Sequence, residues 1–222
     1  MGGVVKQTLR SRFVEGPDSL GAKARQRRWD MFRQAFPDLD AMSVIDLGGT
    51  YEFWDRAPAR PARLHIVNLL EKQPDDLPDG VTAETGDACD LREDLLGRDF
   101  DLVVSNSVIE HVGGIARRER FARAVRELAP RHWVQTPYRY FPIEPHWVCP
   151  GFQFLPLSTR ARLAERWPLV KVKPEGREAA IADALGVELL GRTEMGYLFP
   201  ESDILGERFA GLVKSLIAVK RG

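Results

Sequence analysis

The chain has 222 residues, with 32 Lys and Arg balanced by 32 Asp and Glu. That length can bury a sizeable core, and the balanced charge gives no global pull toward nucleic acid or an anionic membrane. Two cysteines, Cys89 and Cys149, are too few for a disulfide framework, and no apolar run is long enough to span a bilayer, so a soluble, cytoplasmic protein is expected.

Residues 1–20 read as loop, with Gly16, Pro17, Asp18 and Ser19 marking a turn. Ser19 is placed to cap a helix over 20–36 that Pro37 stops. Trp29, Phe32 and Phe36 form its apolar stripe, while Lys23, Arg25, Arg27 and Arg28 read as a solvated face. Segment 1–39 is thus expected to be a helical cover that packs on a sheet or lies over a pocket. The stretch around which the chain is organised follows at 42–54, MSVIDLGGTYEFW. It reads as a buried strand ending near Asp46, a turn on Gly48 and Gly49, and a short helix. Two glycines let a ligand approach the backbone closely.

Further strands are predicted at 64–70, 81–84, 100–105 and 132–136, with a charged helix over 115–128 carrying Phe121, Val125 and Leu128 on one face. Strands alternating with helices at this spacing call for right-handed βαβ units in a parallel, doubly wound sheet. From Tyr138 to about 190 the pattern turns irregular, with Pro142, Pro145, Pro150 and Pro156 among Tyr140, Phe141, Trp147, Phe152 and Phe154. This segment is too apolar for a linker and is expected to be a substrate cap over 138–190. Residues 194–199 read as the end of a helix, and 203–220 as an antiparallel hairpin.

VIDLGGT at 44–50, GDA at 86–88, FDLVVSNSVIEHV at 100–112 and the terminal hairpin occur in the order found in one family. Over about residues 40–220 the chain resembles the class I S-adenosylmethionine-dependent methyltransferases. The resemblance implies an α/β fold. It would be a doubly wound, mostly parallel seven-stranded sheet of Rossmann-like type, with a terminal antiparallel hairpin and an irregular cap, in a single domain over 1–222. It implies S-adenosylmethionine as cofactor, held by Asp46, Gly48, Gly49, Thr50, Trp54, Asn68, Leu69, Asp87, Ala88 and Asn106. The physical reading agrees, because ligands of open parallel sheets bind outside the carboxyl ends of the strands, where these residues fall. A dinucleotide is the alternative cofactor, but GGTYEF after Leu47 lacks G-x-G-x-x-G. One departure stands out. The family carries an acid at the end of its second strand for the ribose hydroxyls, where this chain has Asn68, with Glu71 as the other candidate.

Methyl transfer needs a placed nucleophile, and a hydroxyl acceptor must also lose its proton. His65 and His132 lie within strands and are expected to be structural. His111 follows Glu110 after the fourth strand, and His146 closes FPIEPH, where Pro142 and Pro145 restrain Glu144 and His146. The expected catalytic residues are His146, Glu144 and His111. Related methyltransferases bind a divalent ion through Glu-x-x-Glu-His and a later His. The corresponding set here is Glu110, His111 and His146, with Ser107 in place of the first Glu and Mg²⁺ as the expected ion. Gln135, Tyr138, Arg139, Tyr140 and Gln153 are expected on the acceptor side. The segment resembles bacterial enzymes of sugar and polysaccharide pathways. The sharpest acceptor is therefore a glycoside, namely the 1-hydroxyl of a 3-O-methylmannoside, as in mycobacterial-type methylmannose polysaccharide biosynthesis. A quinone, phenol or small acid, or a non-catalytic cofactor-binding module, remains the alternative. No nucleic-acid partner or membrane insertion is expected, and a homodimer is left open.

Overall fold

Seven strands make one sheet in the order β3-β2-β1-β4-β5-β9-β8. They are β1 (Ser43–Leu47), β2 (Arg63–Asn68), β3 (Val81–Thr85), β4 (Leu102–Asn106), β5 (Arg131–Pro137), β8 (Asp203–Phe209) and β9 (Leu212–Lys220). The first five run parallel, and β9 inserts antiparallel between β5 and β8, so the sheet is parallel up to its closing hairpin. The computed structural model describes residues 20–70, 73–170 and 172–222. The expected loop at 1–19, the Ser19 cap and Glu71 lie outside the described residues.

Strand periodicity divides the core into two layers. Val44, Leu102, Val104, Trp133, Ile217 and Val219 face one side, where α1 (Leu20–Ala35) and α2 (Tyr51–Asp55) bury Phe32, Phe36 and Trp54 against them. Ile45, Leu47, Val103, Val134, Leu216 and Ala218 face the other. There α4 (Ile115–Leu128) and α7 (Arg192–Leu198) supply Phe121, Ala122, Val125, Leu128, Met195 and Leu198. The helix stripe read at 20–36 therefore packs on the sheet, with Phe32 edge-on to Trp133 at 5.2 Å. A one-turn helix, α3 (Glu93–Leu96), precedes β4. Among the described residues no helix is long and apolar enough to cross a membrane.

The segment expected to be an irregular cap is partly helical, which corrects that reading. After β5 come the two-residue strands β6 (Ile143–Glu144) and β7 (Cys149–Pro150), then α5 (Leu157–Arg166) and α6 (Arg177–Leu185). The two helices close a small core of Trp147, Cys149, Phe152, Ala161, Ala164 and Ala180. Trp147 and Phe152 stack at 4.3 Å within it. The physical reason lies in composition: the buried positions of these helices are alanines, which give a weak periodic signal.

Candidate active site at the carboxyl edge of the sheet

The glycine turn leaves β1 beside β4, where the strand order reverses. Gly48 takes φ +80°, and a Cβ there would meet the Val108 side chain at 2.4 Å. A Cβ on Gly49 would fall 1.8 Å from Asp46 Oδ2. Both positions therefore exclude a side chain, Gly48 by conformation as well as by space. Thr50 then caps α2, its hydroxyl accepting from Phe53 N–H at 3.4 Å.

Asn68 explains its own departure from the family pattern. Its amide donates to the carbonyls of Gly48 (3.1 Å) and Gly49 (2.8 Å), and its oxygen accepts from Leu70 N–H (2.9 Å). A carboxylate cannot donate and would repel both carbonyls. Asn68 thus braces the turn, while Leu69 beside it is 54% exposed.

Asp46 is buried, with Oδ2 accepting from Trp54 Nε1 (2.7 Å) and Oδ1 lacking a hydrogen-bond partner among the described residues. Burial, only partly offset by Trp54, pushes its pKa up to about 7. Trp54 was expected at the cofactor, but it has no exposed surface and spends its indole N–H on Asp46. Since the folded-state pKa lies above the ordinary 3.8, the native state holds a proton that the unfolded chain releases, and stability falls as pH rises from about 4 to about 7. The cost of ionising Asp46 is about 4 kcal/mol by that shift. Asp46→Asn keeps an acceptor for Trp54 and removes the charge, but buries an unpaired amide N–H at about 1–3 kcal/mol. We expect a net gain of about 2 kcal/mol at pH 8, or about 5 °C in Tm, that turns into a net loss of about 1–2 kcal/mol by pH 4. Thermal melts across that range check it.

On the other side of the turn, Asp87 accepts from Arg117 (2.7 Å) and from Cys89 N–H (2.9 Å), with Ala88 buried beside it. Burial would raise the Asp87 pKa, but these partners bring it below the usual carboxylate value. At the end of β4, Asn106 Oδ1 is buried and has no hydrogen-bond partner among the described residues. Ser107 then adopts φ 55°, a left-handed conformation costly for a residue with a Cβ, and is held there by Gln135. Its N–H donates to the Gln135 carbonyl (2.9 Å) and its Oγ to Gln135 Oε1 (3.1 Å). Gln135 Oε1 also accepts from Arg28 (3.2 Å), so this oxygen supports the edge from behind.

The structure brings Glu110, His111, Glu144 and His146 together from two segments. His146 Nδ1 lies 2.6 Å from Glu144 Oε1, and Glu144 Oε2 accepts from Trp147 N–H at 2.9 Å. His111 Nδ1 lies 3.2 Å from the Gly186 carbonyl, and the two Nε2 atoms stand 3.1 Å apart. Carboxylate and carbonyl both require Nδ1–H, so the remaining lone pairs, both on Nε2, converge on one point. Two neutral rings in this tautomer would repel there, and a proton or a metal ion between them relieves it. Burial alone would lower the His146 pKa, but the bond and charge of Glu144 and the charge of Glu110 raise it. Burial and the His146 charge lower that of His111. A shared proton therefore belongs to His146, which donates it to His111. Glu110 is buried, accepts from Thr136 (2.9 Å), keeps Oε1 without a hydrogen-bond partner among the described residues, and has its pKa pushed up to about 7 by burial. Glu110, His111 and His146 present ligand atoms within 4.8 Å of one another. Two imidazoles and a carboxylate suit a borderline ion such as Zn²⁺, Mn²⁺ or Fe²⁺, whereas Mg²⁺ prefers oxygen and water. The donor set thus favours such an ion over Mg²⁺.

The remaining predicted residues divide. Tyr138 packs edge-on to the exposed Tyr140 at 5.5 Å, and Arg139 is exposed nearby. Gln153 donates to the carbonyls of Arg139 and Phe141, bracing the cap backbone. His65 bonds Thr82 and His132 bonds Ser202 within the sheet layers. Sequence reasoning missed Arg117, Gly186 and the latch of Arg28 on buried Glu207 (2.9 Å). A cavity of about 890 Å³ lies beneath α1, within the segment read as a helical cover, and reaches Thr50 and Asn106.

A glycine turn at the β1/β4 reversal, on a sheet closed by an antiparallel penultimate strand, defines the Rossmann-like fold of the class I methyltransferases. By sequence the chain matches no protein-family model and no curated protein. By structure it is similar to magnesium protoporphyrin IX methyltransferase (ChlM) from Synechocystis PCC 6803 with bound SAH, at 12% identity and TM-score 0.53, covering 99% of this chain and 95% of that one. The methyltransferase domain of bacterial-CtHen1-CN matches at 13% identity and TM-score 0.52, over 88% and 98% of the two chains. An S-adenosylmethionine-dependent methyltransferase from Mesorhizobium loti matches at 17% and 0.53, over 86% and 96%. At such identities the likeness is one of fold, and chemistry has to be argued from the site.

Proposed function

We propose that the chain is an S-adenosylmethionine-dependent O-methyltransferase acting on a small hydroxylated acceptor. The observation that carries this reading is the coupling of two features on one sheet edge: a turn that excludes side chains, and an imidazole pair whose Nε2 atoms converge. ChlM, a methyltransferase of the same fold, was crystallised with SAH, which supports the cofactor.

The residues fit that cofactor. Gly48 and Gly49 let the turn pack tightly against Val108 and Asp46 at the strand end, and Asp46 Oδ1 and Asn106 Oδ1, which have no hydrogen-bond partner among the described residues, are acceptors suited to a cationic amino group. Leu69 and Ala88 offer apolar contact for the adenine, with Asp87 held by Arg117 at its edge. When bound, the cofactor supplies an electrophilic methyl group on a sulfonium. Glu144 orients His146 and favours its charged form, while His111, fixed by Gly186, shares the proton. Once that proton is lost, His146 Nε2 accepts the one released by the acceptor hydroxyl, a role suited to a base with a pKa near the working pH. Tyr138, Arg139 and Tyr140 stand where the acceptor enters. A sugar or short mannoside is one member of this acceptor class, and a phenol or small acid another.

A second reading is favoured by Glu110 Oε1. Here Glu110, His111 and His146 hold a divalent ion that supplies Lewis acidity to the acceptor oxygen. Under it, dialysis against a chelator should lower activity about 100-fold, with Mn²⁺ or Zn²⁺ restoring it better than Mg²⁺. Unchanged activity would leave the proton-sharing pair as the operative form. The function itself is tested by incubating the protein with methyl-labelled cofactor and a panel of glycosides, phenols and small acids, with products read by mass spectrometry. A labelled acceptor is expected. Cofactor binding without transfer across the panel would instead make the chain a binding module.

A further inference from the structure

His111 offers an Nε2 lone pair to the point between the rings only while Nδ1 carries the proton. That proton is held by the Gly186 carbonyl at 3.2 Å. We propose that Arg118 is a positioning residue that fixes this tautomer by pinning the segment 186–190, to which the carbonyl belongs. The effect on methyl transfer rests on the proposed function, whereas the tautomer does not.

The carbonyl needs such a support. Segment 186–190 runs between α6 and α7 without forming a helix or a strand, and Gly186 and Glu188 are exposed. A carbonyl at an exposed helix end can turn to water, and an imidazole that loses its Nδ1 partner reverts to the Nε2–H form preferred in water. Arg118, in the first turn of α4, reaches the middle of the segment from the protein interior. Its Nη2 donates to the Glu188 carbonyl at 2.9 Å and to Glu188 Oε2 at 2.8 Å, while Nη1 faces Glu194 Oε1 at 3.7 Å. Glu188 N–H in turn donates to the Glu110 carbonyl at 2.9 Å, one residue before His111. The segment and the Glu110–His111 pair are therefore joined twice, once by Glu188 and once by Gly186. Arg118 holds the first junction, and two residues of chain carry its position to the second.

Burial argues that Arg118 serves placement. Only 6% of it is exposed, and its Nε has no hydrogen-bond partner among the described residues. Taking a guanidinium out of water is costly, and an apolar side chain of similar volume often replaces a buried ion pair with no loss of stability. A methionine would fill this position of α4 but could not grip a carbonyl. Either occupant of the point between the rings, the His146 proton or a divalent ion, requires the lone pair on His111 Nε2. Both forms of the centre thus demand the tautomer that Arg118 secures.

Ring-nitrogen spectra of the full chain labelled with ¹⁵N-histidine test this, after dialysis against a chelator. The chain has four histidines, and His111→Ala identifies the signals of His111 by their loss. The native protein is expected to carry the His111 proton on Nδ1. Arg118→Met should keep Tm within about 3 °C yet move His111 to the Nε2–H form. Arg118→Lys, which retains a donor for the Glu188 oxygens, should restore Nδ1–H in part. Glu188→Ala removes one of the two Nη2 bonds at an exposed residue and should also raise the Nε2–H fraction, so the test stands even if the methionine variant does not fold. With the acceptor found in the labelled panel, Arg118→Met should lower kcat about 10- to 100-fold and leave S-adenosylhomocysteine affinity within about twofold. In a His111→Ala background the same substitution should cost nothing further. Nε2–H on His111 in the native protein, or Nδ1–H retained in both Arg118→Met and Glu188→Ala, overturns the proposal. Losses that add in the His111→Ala background overturn action through His111. A native protein that methylates no acceptor would sink the proposed function and leave the tautomer to be decided by the spectra alone.

Discussion

Gly49→Ala is expected to lower stability by about 2–4 kcal/mol and to weaken cofactor binding at least tenfold. The added Cβ would sit 1.8 Å from Asp46 Oδ2, and Asp46 cannot retreat because Trp54 holds that oxygen at 2.7 Å. Overpacking a fixed site costs about 1–3 kcal/mol, and breaking the buried hydrogen bond adds to it. Adding Asp46→Ala removes the clashing atoms, so the double variant should recover stability relative to the sum of the single changes. It should not recover binding, since the acceptor oxygen is gone. Denaturant melts of the four proteins in the cycle read the coupling directly. Strict additivity would mean that the turn moves away from Asp46 at little cost.

His146→Ala should lower kcat about 100- to 10,000-fold while leaving affinity for S-adenosylhomocysteine within about twofold, because the ring serves proton transfer and not cofactor binding. Glu144→Gln gives a more specific signature. In the native protein the pair works only after losing the proton it shares, so activity rises with pH through a His146 pKa held above its ordinary value by Glu144. Removing that carboxylate charge should move the rising limb to lower pH and lower the plateau, since an amide fixes the ring less firmly. A limb that stays in place would mean that another group titrates. Steady-state rates between pH 5 and 9 with His146 and Glu144 variants distinguish these outcomes.

Much of the sheet was legible because its signals are local. The run VIDLGG announces strand, acid and turn within six residues, and the hairpin at 203–220 shows as two adjoining strand-like runs at the chain's end. The 115–128 helix was read to its observed limits, since Phe121, Val125 and Leu128 repeat at helical spacing. The cap helices were not legible. Ala161, Ala164, Ala180 and Ala184 are fully buried, yet alanine is too small to stand out from its surroundings in sequence.

The site was legible in its parts and not in its wiring. Glu144 and His146 share one short motif, and Glu110 and His111 another, so each pair could be named. That the two rings meet at 3.1 Å depends on the path of the cap and on Gly186, some 40 residues beyond His146. Asn68 shows the same limit. Its place at the strand end was read correctly, but its amide is turned toward the Gly48 and Gly49 carbonyls, a direction that no sequence pattern records. Ser107 and Arg117 were invisible for the same reason, since a left-handed φ and a long-range ion pair arise only in the assembled edge.

The most direct measurement is calorimetric titration of the purified protein with S-adenosylhomocysteine and, separately, with NAD⁺. One site per chain with a Kd on the order of micromolar for S-adenosylhomocysteine is predicted, weakened at least tenfold by Gly49→Ala, with no binding of NAD⁺. Binding of NAD⁺ with no heat from S-adenosylhomocysteine would contradict the assignment of the glycine turn and the methyl-transfer chemistry built on it.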